Sequence, residues 1–117
     1  MTPFEKYIRI LLVEMEDLEE QLEELINHYT TPDKTHGLTE RVCLENQSVI
    51  RCEERGIDTI IDILKNFDTT PYKDIETMVR DLKVQIKEEL KKKDLPMATY
   101  MFAETRMNSV REYIKAG

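Results

Sequence analysis

The spacing of apolar residues near the start of the chain limits the possible folds more than any other feature of the sequence. Phe4, Ile8, Leu11, Met15, Leu18, Leu22, Leu25 and Tyr29 follow one another in alternating steps of four and three, the heptad seam of a long amphipathic helix. Leu12 and Ile26 widen it on one flank. Strand-like alternation is absent over any useful length, so the expected class is all-α.

Local punctuation divides the rest into three more helices. "MTPFEK" supplies Thr2 as N-cap, Pro3 at the first helical position and Glu5 three residues after the cap, which starts helix one at Pro3. "DTTPYKD" repeats the Thr-Pro design and predicts that helix three starts at Pro71. "TTPDKTHG" has Pro and Gly with no apolar residue and reads as the loop before helix two, expected from about Leu38 to Phe67. "KKKDLP" ends helix three, because the lysines suit the negative end of the helix dipole, and Pro96 opens helix four, expected to reach Lys115. Helix three carries Tyr72, Ile75, Val79, Leu82 and Ile86 on its seam, and helix four Tyr100, Ala103, Met107, Val110 and Ile114. The expectation is an antiparallel four-helix bundle with heptad-like seams, one domain over residues 1–117.

Set against that seam, the acids of "MEDLEEQLEELINHY" read as a solvated face. Glu14, Glu16, Asp17, Glu19, Glu20, Glu23 and Glu24 all fall off it. Pairs such as Glu16 with Glu20 repel by a few tenths of a kcal/mol. Residues 80–93 hold Arg80, Lys83, Lys87 and Lys91 to Lys93 against Asp81, Glu88 and Glu89. Helix three is therefore the expected basic neighbour, within the chain or across a dimer.

Helix two breaks the pattern. Its best register, Cys43, Asn46, Ile50, Glu53, Ile57, Ile60, Leu64 and Phe67, places Asn46 and Glu53 at seam positions. A polar seam residue sets register or marks a partly exposed edge, and these two are the candidate polar interhelical site. Gly56 costs a helix about 1 kcal/mol relative to Ala, which points to close approach of another helix ahead of the alternative, a kink that splits helix two near "EERGID". Cys43 and Cys52 lie half a turn apart, so one is expected to be buried and the other nearer solvent, both as free thiols.

Chemistry-bearing motifs are sparse. The two imidazoles, His28 and His36, stand at a helix end and in a loop without a Glu-x-x-His spacing. No Gly-rich phosphate loop occurs, and the cysteines and histidines form no local dyad. "EEQLEE" supplies Glu20-x-x-Glu23, and "EERGID" supplies Glu54 and Asp58 with one residue more between them. These pairs resemble the carboxylate sets with which all-α nucleotide pyrophosphohydrolases hold magnesium against a triphosphate. The resemblance implies an alternative magnesium site at Glu20, Glu23, Glu54 and Asp58.

Net charge −7 disfavours general nucleic-acid binding, which needs clustered Lys and Arg. No run of about 18 apolar residues offers a membrane span, and the N-terminus does not read as a secretory signal. The leading expectation is a cytoplasmic protein that works by protein–protein interaction, without catalysis or cofactor. Its partner is another protein or a second copy, and the width of the helix-one stripe favours a homodimer.

Overall fold

A computed structural model describes residues 1–30 and 39–117. It contains four helices, α1 (Pro3–Thr30), α2 (Glu40–Lys65), α3 (Ile75–Lys92) and α4 (Met97–Ala116). The loop expected over residues 30–37, His36 within it and the expected start of helix two at Leu38 lie outside the described residues, apart from Thr30.

Helix α1 begins as its cap chemistry requires. The Glu5 N–H donates to Thr2 Oγ1 at 3.1 Å, and the Thr2 hydroxyl donates to the Glu5 carboxylate at 3.2 Å. Helix α2 is capped by Thr39, whose hydroxyl oxygen accepts from the Val42 N–H, and it runs unbroken through Gly56. Helix α3 corrects the sequence expectation: it starts at Ile75, not Pro71. Asp74 is the stronger cap, accepting both the Thr77 N–H and the Thr77 hydroxyl at 2.8 Å. Asp68 meanwhile holds Thr70 in the preceding turn, and Tyr72 stacks on Phe67 with ring centroids 5.7 Å apart.

The stop after α3 is a Schellman motif. The Leu95 N–H reaches the Leu90 carbonyl at 2.9 Å and the Asp94 N–H reaches that of Lys91 at 3.0 Å, with Asp94 at φ 55°. Leu95 then packs on the core beyond Leu90.

The pairs of residues that meet give the helix directions. Gln47 Nε2 donates to the Tyr29 carbonyl, and Glu23 sits beside Glu54, so α1 and α2 are antiparallel. The Tyr7 hydroxyl donates to the Met107 carbonyl at 3.1 Å, while Leu22 and Phe102 line the same cleft, so α1 and α4 are antiparallel too. Lys83 bonds Asn108 and Glu76 pairs with Lys115, which fixes α3 against α4 in the same sense. The result is the expected antiparallel four-helix bundle.

One buried cluster draws on all four helices. The α4 seam is buried from Tyr100 to Val110, as its spacing predicts. In α1 the buried stripe drifts: Tyr7, off the expected seam, is fully buried, and near the other end Ile26 is buried while Leu25 is exposed. A straight helix turns about 20° per heptad away from a strict seven-residue repeat, which brings Tyr7 and Ile26 inward. Leu25, five full turns from Tyr7, points the same way as Tyr7, so its exposure reflects missing cover at that end instead. Gly56 does mark a close helix approach, since a Cβ there would lie 2.5 Å from Thr99 Cγ2 of α4.

Candidate functional site

The two hairpins are unequal. At 1.5 Å per residue, α1 and α2 span about 42 and 39 Å, against about 27 and 30 Å for α3 and α4. Because Thr99, near the start of α4, meets Gly56 in mid-α2, the far end of the α1–α2 hairpin extends past its partner helices. The molecule is accordingly 54 Å long and 30 by 19 Å across.

Burial along each stripe records where that cover stops. Leu11 and Leu18 of α1 are buried, but Leu25, seven residues further in the same stripe, is 46 % exposed. On α2, Val49 and Val42 lie seven and fourteen residues before Gly56, in the stripe that α4 covers at Gly56, and both are exposed. Where α4 begins, Met101 and Phe102 are 64 % and 48 % exposed. Leu18, Leu22 and Leu25, Glu53 and Ile57, and Thr99 and Phe102 line a cleft there, with Gln21 at its edge. Its volume of about 220 Å³ is below the roughly 300–1,000 Å³ of small-molecule pockets. It suits one inserted side chain better than a whole ligand.

The polar seam pair belongs to this end. Glu53 lines the cleft, and Asn46, one heptad earlier, is half-buried like it. Neither is sealed in the main core, because the helix that would cover them starts beyond them. Arg106 of α4 lies 3.9 Å from Glu14. Cys43, Ile50 and Ile26 are buried outside the main cluster.

The alternative magnesium residues meet on the opposite flank of the hairpin. Glu20 and Asp58 line one hollow with Glu16, Glu19 and Asp62, and Glu23 sits beside Glu54. The Glu54 carboxyl is pushed above its ordinary value, first by the hydrogen bond it shares with Glu23 when protonated, then by burial and by repulsion from Glu23. Its Oε2 is shielded from solvent with no partner. Burial, and then Asp62, raise Asp58 as well. Among the described residues, no three Asp, Glu, His or Cys side chains converge closely enough to hold a metal ion.

The basic helix expected to neutralise these acids does not do so within the chain. Helix α3 barely touches α1, and among the described residues the α1 acids have one ion pair, Glu14 with Arg106 of α4. The thiols behave as their spacing predicts, Cys43 buried and Cys52 half-exposed, both free. His28 stands edge-on to Tyr29 at the end of α1.

The sequence reading did not anticipate Leu25, Met101 and Phe102 as exposed surface. A signal was present for two of them: "YMF" at residues 100–102 puts Met101 and Phe102 between the seam positions Tyr100 and Ala103. Comparison with protein-family models, curated proteins and solved structures finds no match in any of the three. No helix among the described residues is long and apolar enough to cross a membrane.

Proposed function

We propose that this four-helix bundle works by binding another protein at the uncovered end of its α1–α2 hairpin, without catalysis. The observation that carries the reading is the cleft of side-chain size lined by Leu22 and by the exposed Leu25 and Phe102. Exposed apolar area gathered in one place is what interaction surfaces present, whereas isolated exposed apolar residues are ordinary. The partner inserts an apolar side chain into the cleft and lays a helix along Val42 and Val49. A different protein or a second copy fits that description, and a cytoplasmic setting fits the two free thiols. The test is a Leu25→Asp, Phe102→Asp double variant, both sites being on the surface. It should keep its fold and lose its partner.

One observation favours a second reading, a magnesium-dependent enzyme resembling the all-α nucleotide pyrophosphohydrolases. Glu20 and Asp58 line one hollow and Glu23 sits beside Glu54, and a divalent cation drawing these two pairs together would favour the ionised Glu54 carboxylate over its protonated form. A ligand that binds only the folded state raises thermal stability. Millimolar magnesium with a nucleoside triphosphate should therefore leave the melting temperature unchanged under the binding reading and raise it under this one.

A further inference from the structure

The two hairpins differ in charge. Helices α1 and α2 carry six Lys and Arg against fourteen Asp and Glu, a net −8, whereas α3 and α4 carry eight against six, a net +2. On α3, Arg80, Lys83, Lys87 and Lys91 follow one another at helical spacing along one stripe. The first three line a groove with Tyr100 and Arg111 of α4.

The acids of that groove are already engaged. Glu104 accepts from the Tyr100 hydroxyl at 2.7 Å, and Glu76 is held by Lys115 and Arg111. Among the described residues Arg80, Lys83 and Lys87 form no ion pair within 4.0 Å, although Arg80 stands near enough to Asp74 to help lower its carboxyl. Lys83 bonds only the Asn108 amide, Lys87 lies 4.8 Å from the centre of the Tyr100 ring, and Arg111 Nε is shielded without a partner. Val84, at 49 % exposure, adds an apolar residue to the groove.

Helix α1 carries the complement on its outward side. Val13, Asp17, Glu20 and Glu24 step by four, three and four, and all are exposed, Val13 at 65 %. Asp17 accepts only from Gln21, and Glu20 and Glu24 are unpaired among the described residues. Each surface is an exposed valine among charges of one sign, and the signs are opposite.

We propose that the α3–α4 groove docks the outward acidic face of α1 from a second copy of this chain. Asp17, Glu20 and Glu24, spaced by three and four, meet Arg80, Lys83 and Lys87, spaced alike. Because the two surfaces are different parts of the molecule, the contact is heterologous, and copies add head to tail rather than closing a dimer. Exposed charge pairs are weak and screened, so assembly strengthens at low ionic strength and high concentration. The proposal uses neither the cleft nor the apolar end of the α1–α2 hairpin.

Sedimentation equilibrium of the full chain tests it, at low ionic strength and again at about 0.5 M salt, where screening acts within a few ångströms. The expected weight-average mass at low salt exceeds the 13.9 kDa monomer by about twofold or more without levelling at a dimer. High salt should return it to the monomer. Arg80→Glu with Lys87→Glu, and separately Asp17→Lys with Glu20→Lys, should each be monomeric at low salt, with folding checked by circular dichroism. An equimolar mixture of the two should associate again. A wild-type monomer at low salt overturns the proposal, and so does a mixture that stays monomeric. Association that persists at high salt or in either variant alone also overturns it, and moves the contact to the apolar end, leaving the docking role of that end intact. A short oligonucleotide retained by a chain that stays monomeric makes the groove a nucleic-acid site instead.

Discussion

Replacing Gly56 with alanine tests the contact that sets where α4 begins, and hence how much of the α1–α2 hairpin stays uncovered. In an open helix the change would stabilise by about 1 kcal/mol, since glycine is the costlier helix residue. Here the new Cβ would sit 2.5 Å from Thr99 Cγ2, 2.8 Å from Oγ1 and 3.0 Å from Cβ. Ordinary carbon contacts lie at about 3.5–4.0 Å, and Thr99 is fully buried with little room to yield. Overpacking costs about 1–3 kcal/mol against the propensity gain of about 1 kcal/mol, so Gly56→Ala should lose up to about 2 kcal/mol. Thr99→Ala removes the two nearest atoms. It also removes a buried hydroxyl that has no hydrogen-bond partner, a gain of about 1–3 kcal/mol that offsets the lost methyl group at about 0.8 kcal/mol. In the double variant only the 3.0 Å contact to the residue-99 Cβ remains. The two changes should therefore couple favourably by at least about 1 kcal/mol. Urea unfolding followed by far-ultraviolet circular dichroism measures all four proteins. A stabilising Gly56→Ala, or additivity within about 0.5 kcal/mol, would refute the close contact and the position of α4 that rests on it.

Asp94 holds a left-handed φ of 55° at the end of α3; Asp94→Gly should stabilise by about 0.5–1 kcal/mol in the same urea assay, and a loss would mean that the carboxylate has an unrecognised role. The Glu54 carboxyl is raised above its ordinary 4.5, so as pH climbs past 4.5 the unfolded chain ionises first and stability falls until the folded carboxyl has also ionised. Glu54→Gln should flatten that part of a melting-temperature profile against pH, and an unchanged profile would remove Glu54 as its source. Glu53→Leu replaces a half-buried carboxylate beside Leu22, Leu25 and Ile57 and should raise the melting temperature; a fall would show that Glu53 has a strong partner.

The features governed by local chemistry were legible in the sequence. The box of Thr2 and Glu5, the α4 seam from Tyr100 to Val110, the buried Cys43 and the close approach at Gly56 each depend on spacing or on the need for a missing side chain. Competition between caps was not legible: the Thr-Pro design reads as a start at Pro71, but the Asp74 carboxylate, accepting two bonds from Thr77, prevails. Nor was the drift that buries Tyr7 and Ile26, because a heptad count ignores the mismatch that accumulates along a long straight helix. Asn46 and Glu53 were found by their polarity at seam positions. Their location at an uncovered hairpin end depends on where α4 starts relative to α2, which is a tertiary fact set by Gly56 and Thr99.

The central claim is that the uncovered hairpin end binds a protein. Quantitative affinity capture from cells that express the chain, comparing wild type with the folded Leu25→Asp, Phe102→Asp variant, tests it most directly. The account predicts at least one protein, this chain itself included, retained by the wild type in near-stoichiometric amount and lost from the variant. Identical sets of retained proteins on the two would contradict it.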